Sequence, residues 1–266
     1  MASAAGNNGT RGTQLHAIVL TAEEVSQRLQ VIRDEVLQGS KNIREPNFER
    51  IGVDDLQRIY QGYDRGFFGG LLEQWRNVED RAPLDFRFAP RMTRTAGTTT
   101  RLVPRGRRHD PTVIPRYTIA IGSTLLFENF RGEGREVLVG GLVVRDRLEA
   151  LQRIMEHEIL HLAEFLAWRE SNCKAPNFQR LSRALFAHDA SVHELMTPRE
   201  RAAVEHGIRL GDTVCFDFNG KTHQGIVNRV TRRATVLVED PNGRPFSNGK
   251  KYAVFYVPTS DLRKPS

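Results

Sequence analysis

A strongly patterned segment in the middle of the chain constrains the fold more than any other feature. Leucine, isoleucine and methionine recur at helical spacing over residues 148–166, which predicts one buried helix from residue 145 or 146 to residue 169. Three polar side chains, His157, Glu158 and His161, interrupt this apolar pattern. Because burying such groups without compensation is costly, we expect them to serve a common chemical purpose.

The spacing of these three residues is typical of a hydrolytic zinc centre. His157 and His161 are four residues apart, so both imidazoles lie on one helix face and can bind one zinc ion. Glu158 is placed to take a proton from water on the zinc, which polarises a carbonyl group and lowers the pKa of that water to about 7. The alternative is a chance occurrence of the pattern on an amphipathic helix.

A catalytic zinc ion usually takes a third ligand from the protein. The candidates after the two histidines are Cys173, His188 and His193, together with Glu164 on the helix itself. Solvated faces of the helix account for Glu156 and Glu164.

Several shorter elements precede and follow the central helix. Residues 1–16 are predicted to be a disordered leader, and Thr21 with Glu24 predicts a capped helix start. Residues 53–75 have helical spacing weakened at Gly69 and Gly70. The other predicted elements are a hairpin within 83–103, a strand at 117–121, a strand or hairpin at 137–144, and a helix at 177–186.

The last sixty residues have the pattern of an all-β domain. Four or five strand-length runs follow Gly207, separated by Asn-Gly pairs at 219–220, 242–243 and 248–249. Such runs predict a small SH3-like barrel over residues 207–266. A short helix over 198–206, capped by Thr197, is the predicted domain boundary.

The charge of the chain favours a polyanionic partner, of which nucleic acid is the commonest. There are 39 lysines and arginines against 32 acids, a net charge of +7. Residues 91–116 hold seven arginines and one acid, and the barrel adds further basic residues. The candidates for phosphate contacts are Arg94, Arg101, Arg105, Arg107, Arg108, Arg232 and Arg233. For the arginines within residues 91–116, the alternative is a solvated charged loop. For the barrel, the sequence does not distinguish a nucleic-acid partner from a peptide partner.

The composition excludes several classes of protein. At 39% hydrophobic and 27% charged residues, the chain can form a packed core. The two cysteines cannot form a disulfide framework, and no apolar run reaches the length that spans a bilayer. We therefore expect a soluble intracellular protein without a secretory signal.

Four segments of the chain together resemble one family of proteins. They are YDRGFFGGL at 63–71, FAPRMTRTAG at 88–97, YTIAIGSTLL at 117–126 and MEHEILHL at 155–162. In this order they resemble the SprT-like zinc metallopeptidases, which include the Spartan proteases that act on DNA–protein crosslinks. The resemblance covers about half of the chain, and RMTxxAG followed by HExxH is more specific than HExxH alone.

The resemblance implies a fold, a cofactor and a ligand set. It implies an α+β, zincin-like metallopeptidase domain over residues 17–197 that binds Zn²⁺ and precedes the barrel. The family usually has its third ligand, a histidine, four residues before an aromatic residue. Here Lys174 has that spacing from Phe178, so Cys173 is the implied substitute, with an inert buried thiol as the alternative.

Two functions follow from these expectations. The first is a zinc-dependent endopeptidase that cleaves proteins bound or crosslinked to DNA. The second is a nucleic-acid-binding adaptor in which a zinc site is structural. The expected location is the cytoplasm, associated with the nucleoid, in a bacterium, or the nucleus in a eukaryote.

Overall fold

The computed structural model describes residues 4–107, 110, 112–130, 137–190, 195–231 and 233–265. The chain forms two compact units, Met1–Leu195 and Met196–Ser266. The first unit combines helices with a three-stranded and a two-stranded sheet. The second contains a four-stranded antiparallel sheet and one short helix. The predicted α+β class is confirmed.

The first unit is built around helices whose ends follow local sequence signals. They are α1 (Ala4–His16), α2 (Ala22–Gly39), α3 (Val53–Phe68), α4 (Leu71–Glu73), α5 (Ser123–Glu128), α6 (Arg147–Trp168) and α7 (Pro176–Phe186). Thr21 and Glu24 form the predicted capping box of α2. The helical run at 53–75 is interrupted where Gly69 and Gly70 adopt left-handed φ values of 61° and 83°, and it resumes as α4 and a π-helical turn.

Helix α6 has the predicted boundaries and forms the centre of the first core. Its N-cap is Asp146, whose side chain accepts a hydrogen bond from the backbone N–H of Glu149. The helix ends where Arg169 adopts a left-handed φ of 63°. Its apolar positions, including Leu151 and Ile159, are fully buried, which confirms the interpretation of the hydrophobic pattern.

The prediction of a disordered leader over residues 1–16 is wrong for the described residues. Ala4–His16 forms α1, and the buried Arg11 joins it to the first core. The Arg11 guanidinium donates two hydrogen bonds of 2.9 Å to the carboxylate of Asp80 and one to the carbonyl oxygen of Leu166. Leu15 of the same helix is also fully buried in this core. The segment is small and polar and lacks a hydrophobic pattern, so its sequence does not reveal that it packs against the core.

The predicted hairpin within residues 83–103 is also wrong. Strands β1 (Leu84–Phe88) and β2 (Gly97–Leu102) do not pair with each other, because β3 (Arg116–Ile121) lies between them. It runs parallel to β1 and antiparallel to β2. The most apolar of the three strands thus occupies the centre, where both of its edges are paired and its side chains are the most buried.

The second sheet of this unit is the predicted hairpin at 137–144. Strand β4 (Val137–Val139) pairs with β5 (Leu142–Val144) in antiparallel register. Gly140 and Gly141 form the two-residue turn with φ values of 64° and 80°, which only glycine adopts without strain.

The second unit has its own core beneath one sheet. It contains α8 (Pro198–Glu205), β6 (Thr213–Phe218), β7 (Lys221–Val230), β8 (Ala234–Pro245) and β9 (Lys251–Val257) in the sheet order β6-β7-β8-β9. Asn242-Gly243 lies within β8, at an irregularity in its register, and is not a turn between strands. Beyond β9 the chain reaches the opposite edge of the sheet, where Arg263 bridges to Cys215 of β6.

Helix α8 was expected at the boundary between domains, but it belongs to the second unit. Thr197 caps it with the predicted side-chain bond to the N–H of Glu200. Ala202 on its inner face is buried in the same core as Val214 and Val227 of the sheet. The second unit therefore begins at Met196, before this helix.

The docking of α1 predicts a measurable loss of stability in Arg11→Ala. The change leaves the partly buried Asp80 without its two charged hydrogen bonds, so the free energy of unfolding should fall by about 2 kcal/mol in denaturant titrations. Arg65→Ala is the matched control, because its ion pair with Glu35 is exposed and should contribute about 0.5 kcal/mol or less. Equal effects of the two changes would contradict the docking of α1.

Candidate metal centre

Two histidines and one cysteine converge beside α6. The Nε2 atoms of His157 and His161 lie 3.1 Å apart, since the residues are one helical turn apart. The Sγ atom of Cys173 completes a group whose ligand atoms all lie within 4.8 Å of one another. All three side chains are half-buried. This cluster could hold a metal ion.

The segment that follows α6 decides which residue reaches the histidines. The helix ends at Arg169 and α7 begins at Pro176, so only a short loop connects them. Within this loop Cys173 faces the cavity above α6, whereas Lys174 is exposed to solvent. The structure therefore brings the cysteine to the histidine pair and leaves the lysine outside.

The other candidate ligands are engaged elsewhere or fall outside the described residues. Nε2 of His188 lies 2.6 Å from the Glu156 carboxylate. Glu164 accepts a hydrogen bond of 2.6 Å from the Ser171 hydroxyl. His193 lies outside the part of the chain that the structure describes. Among the described residues the cluster thus has three donors.

One aromatic ring packs against both histidines. The ring centroid of Phe178, on α7, lies 4.9 Å from that of His157 and 4.6 Å from that of His161. Phe178 is fully buried, so it restricts the rotation of both imidazoles. This packing gives a physical reason for the aromatic residue Phe178 at its position shortly after Cys173.

A buried hydrogen-bond chain orients His161. Its Nδ1 atom lies 2.6 Å from the hydroxyl of Ser171, and this hydroxyl donates to the carboxylate of Glu164. A hydroxyl that donates to Glu164 must accept from Nδ1–H, so the proton of the neutral ring is on Nδ1 and Nε2 is free to bind a metal. Burial lowers the pKa of His161 to about 4, which keeps the ring neutral at pH 7.

Glu164 thus differs from its expected role on a solvated helix face. It is buried, and Asn172 and Asn177 also donate hydrogen bonds to its carboxylate. The sequence signal that could have identified it is its position three residues after His161, on the same face of the helix.

Glu158 is buried beside the metal cluster and held by β2. The Thr99 hydroxyl lies 2.8 Å from Oε2 of the carboxylate. Burial raises the pKa of Glu158 to about 8, although the Thr99 hydrogen bond opposes this shift. A carboxyl group with such a pKa can accept and donate protons near neutral pH.

Gly97 allows this close approach of β2 to the helix. A Cβ atom at position 97 would lie 2.7 Å from both Cγ and Oε1 of Glu158. No side chain fits there without displacing the glutamate, which explains the glycine at the end of the RMTxxAG segment. Next to it, the carbonyl oxygen of Ala96 accepts a hydrogen bond of 2.7 Å from the N–H of Gly122.

Glu156 is also buried rather than solvated, contrary to the sequence-based expectation. It accepts hydrogen bonds from the Tyr63 hydroxyl (2.8 Å) and from Arg153 (3.1 Å), and it contacts His188. Burial favours the neutral acid, but Arg153, His188 and Tyr63 outweigh it, so the pKa of Glu156 lies below its ordinary value. His188 is therefore a supporting residue that also lies against Gly140 of the β4–β5 turn.

The metal cluster opens into a cavity of about 340 Å³. One wall is the beginning of β2, an edge strand of its sheet within the described residues. Arg153 and His188 contribute polar groups to the cavity, and Val139, Ile154 and Phe165 contribute apolar surface. A chain segment that enters this cavity meets the donors, Glu158 and an available backbone edge together.

The candidate phosphate-binding arginines do not form one cluster. In the first unit Arg94, Arg105 and Arg107 are exposed, and Arg107 pairs with Asp110. Arg101 is half-buried on β2. The exposed Arg233 belongs to the second unit, and Arg108 and Arg232 lie outside the described residues.

Comparisons with protein-family models, with curated proteins and with solved structures found no match to this chain. Helices long and apolar enough to cross a membrane do not occur in the described ranges. The chemistry of the site must therefore be argued from its own geometry.

The hydrogen-bond chain predicts that Ser171→Ala weakens metal binding without removing a ligand. Without the hydroxyl, the Nδ1–H of His161 has lost its hydrogen-bond acceptor and the buried carboxylate of Glu164 has lost one donor. The affinity for Zn²⁺ should therefore fall about tenfold or more. Competition with a chromophoric chelator measures this change. Ser26→Ala, at an exposed position of α2, is the control, and an equal affinity in both variants would contradict the orienting role.

The convergence of donors predicts a larger effect for Cys173→Ser than for His188→Ala. The serine hydroxyl is a much poorer zinc ligand than a thiolate, so Cys173→Ser should lower zinc affinity by at least tenfold, whereas His188→Ala should change it less. In the wild type, bound zinc should protect Cys173 from alkylation. The opposite result would assign the third ligand to His188: the His188→Ala variant would lose zinc, and the Cys173→Ser variant would bind zinc with unchanged affinity.

Proposed function

We propose that this chain is a zinc-dependent endopeptidase of the SprT-like type, whose substrates are proteins bound or crosslinked to DNA. The observation that carries the proposal is a buried Glu158 beside a three-donor metal cluster, at the base of an open cavity. Three protein donors, the number found among the described residues, would leave a coordination position for water or substrate, which is typical of catalytic zinc sites.

The donor set favours zinc. Nitrogen and thiolate donors suit this ion, and tetrahedral zinc with bonds of about 2.0–2.3 Å places its ligand atoms roughly 3.3–3.6 Å apart. The 3.1 Å between the two histidine Nε2 atoms is close to this separation. His157, His161 and Cys173 would hold the ion, and it would polarise a scissile carbonyl and lower the pKa of a water molecule.

The protein residues around the cluster suit amide hydrolysis. Glu158 would accept a proton from the attacking water and return it to the leaving amine, a role that its position beside the three donors allows. Thr99 holds one carboxylate oxygen of Glu158, and Gly97 leaves room for the other. Ser171 and Glu164 keep the imidazole of His161 in the tautomer that binds a metal.

The edge strand supports a polypeptide substrate. In the described part of the chain no strand pairs with the outer edge of β2, which borders the cavity, so an extended peptide could add to this edge by backbone hydrogen bonds. This mode recognises the peptide backbone, and it suits an enzyme whose substrates share no sequence. The exposed Arg94, two residues before the cavity-lining Ala96, supports a polyanion near the same entrance.

The second unit has features of an SH3-like barrel, and we propose a binding role for it. Its chain returns from one edge of the sheet to the other at the Cys215–Arg263 bridge, as closure of a small barrel requires. The metal cluster of the described residues lies wholly in the first unit. The exposed Arg233 supports a nucleic-acid partner for this barrel.

The alternative function is an adaptor that binds nucleic acid without proteolysis and has a structural zinc site. The cysteine in place of the usual third histidine favours it. A structural zinc site, however, takes four protein ligands and has no use for a general base. The three donors among the described residues and the adjacent Glu158 favour the endopeptidase.

The proposal predicts that Glu158→Gln keeps zinc but loses hydrolysis. The amide preserves the size of the side chain and cannot accept the proton, so cleavage of casein or of a protein crosslinked to DNA should fall by about 10²- to 10⁴-fold. Zinc content by atomic absorption should remain one ion per chain. Glu49→Gln, at an exposed position, should leave cleavage unchanged.

Two results would decide against the endopeptidase. Cleavage that persists in Glu158→Gln would remove the proposed base from the mechanism. A wild-type protein that binds zinc and DNA but cleaves neither substrate would establish the adaptor instead.

A further inference from the structure

A second cavity of about 250 Å³ lies beside the C-terminal end of α6, apart from the metal cluster. The segment 112–115 borders it. Besides Thr112 of that segment, the polar side chains in its wall are Arg11, Asp80, Arg81, Arg101, Tyr117 and Arg169. They come from α1, from the segment before β1, from β2 and β3, and from the end of α6.

We propose that this arginine pocket binds a phosphate group. Four guanidinium groups and one carboxylate line it, so its wall carries three net positive charges. The carboxylate of Asp80 is already engaged by Arg11 through two hydrogen bonds of 2.9 Å. Like charges gathered around a small cavity repel one another, and an anion in the cavity relieves this repulsion.

The chemistry of the wall suits phosphate in particular. Guanidinium groups form paired hydrogen bonds with phosphate oxygens. The buried hydroxyl of Tyr117 lies close enough to interact with Arg101, and it offers a further donor. A cavity of about 250 Å³ has room for a phosphate group.

The end of α6 explains only part of the cluster. Basic side chains stabilise helix C-termini, and the Arg11 guanidinium bonds to the Leu166 carbonyl oxygen. Arg169 caps the helix through its backbone N–H, and its guanidinium donates a hydrogen bond of 3.4 Å to the carbonyl oxygen of Asp110. Arg101 is on β2, and Arg81 is on the segment that precedes β1. Neither belongs to the helix end, so the positive charge of the pocket comes from several parts of the first unit.

The arginine pocket and the metal cavity share one wall. Phe165 lines both of them, and its ring stacks on that of Tyr117 with a centroid distance of 6.4 Å. A phosphate group in the pocket is therefore separated from the metal cavity by one aromatic layer. A phosphodiester bound there would place a nucleic acid beside the site of cleavage.

The pocket is inferred from its own residues, and the inference rests on the proposed function only for the nucleic acid as a source of phosphate. Free phosphate compounds are the other source. The test therefore measures binding without any protein substrate, so that a failure of the endopeptidase proposal leaves its result unaffected.

The test compares the wild type with Arg101→Gln and Arg81→Gln. Arg81 is exposed, so Arg81→Gln should fold normally even if Arg101→Gln does not. Arg116→Gln is the matched control, since it removes the same charge next to Tyr117 but from an exposed residue paired with Asp85. Calorimetry with inorganic phosphate, and fluorescence anisotropy with a labelled single-stranded oligothymidylate over a salt series, give the affinities.

We expect each pocket variant to weaken phosphate binding by about tenfold or more, and Arg116→Gln to leave it unchanged. If the source is a nucleic acid, the oligonucleotide affinity also falls and its salt dependence decreases by about one ion per lost contact. An unchanged oligonucleotide affinity together with weakened phosphate binding assigns the pocket to free phosphate compounds. Phosphate binding that is absent in the wild type, or equal in all variants, would overturn the proposal.

Discussion

The first unit depends on the burial of acidic side chains along one apolar helix. A carboxyl group in a core must find hydrogen-bond partners, because water is excluded from it. Three glutamates of α6 are buried, and each finds its partners on a different part of the chain. Glu156 is bonded by Tyr63 of α3 and contacts His188, Glu158 is bonded by Thr99 of β2, and Glu164 is bonded by the loop between α6 and α7.

These bonds set the geometry of the candidate metal centre as well as the packing of the fold. The loop that satisfies Glu164 is the loop that carries Cys173 to the two histidines. The strand that satisfies Glu158 approaches α6 so closely that position 97 has no space for a side chain. The chain therefore uses one set of interactions to build its core and to orient its candidate catalytic groups.

Phe165 separates the two cavities of the first unit that carry our proposals. Because its ring faces both the metal cavity and the arginine pocket, the two sites are neighbours although their chemistry differs. One site offers metal donors and a carboxyl group, and the other offers guanidinium groups. The substrate that we propose, a protein bound to DNA, would bring both kinds of group to these neighbouring sites.

The sequence by itself determined the elements whose signals are local. The boundaries of α6, the capping boxes at Thr21 and Thr197, and the Gly140-Gly141 turn follow from spacing and backbone preference between near neighbours. The pairing of His157 with His161 follows in the same way. Their four-residue separation places both rings on one helix face.

Tertiary structure decided what depends on distant partners. Alternating residues show that β1 and β2 are strands but not that β3 lies between them. Glu164 has the same local pattern whether it faces water or accepts a bond from Ser171. The docking of α1 through Arg11, and the approach of Cys173 to the two histidines, likewise require contacts with other parts of the chain. Burial and hydrogen bonding of polar groups are properties of the whole fold, so no local pattern encodes them.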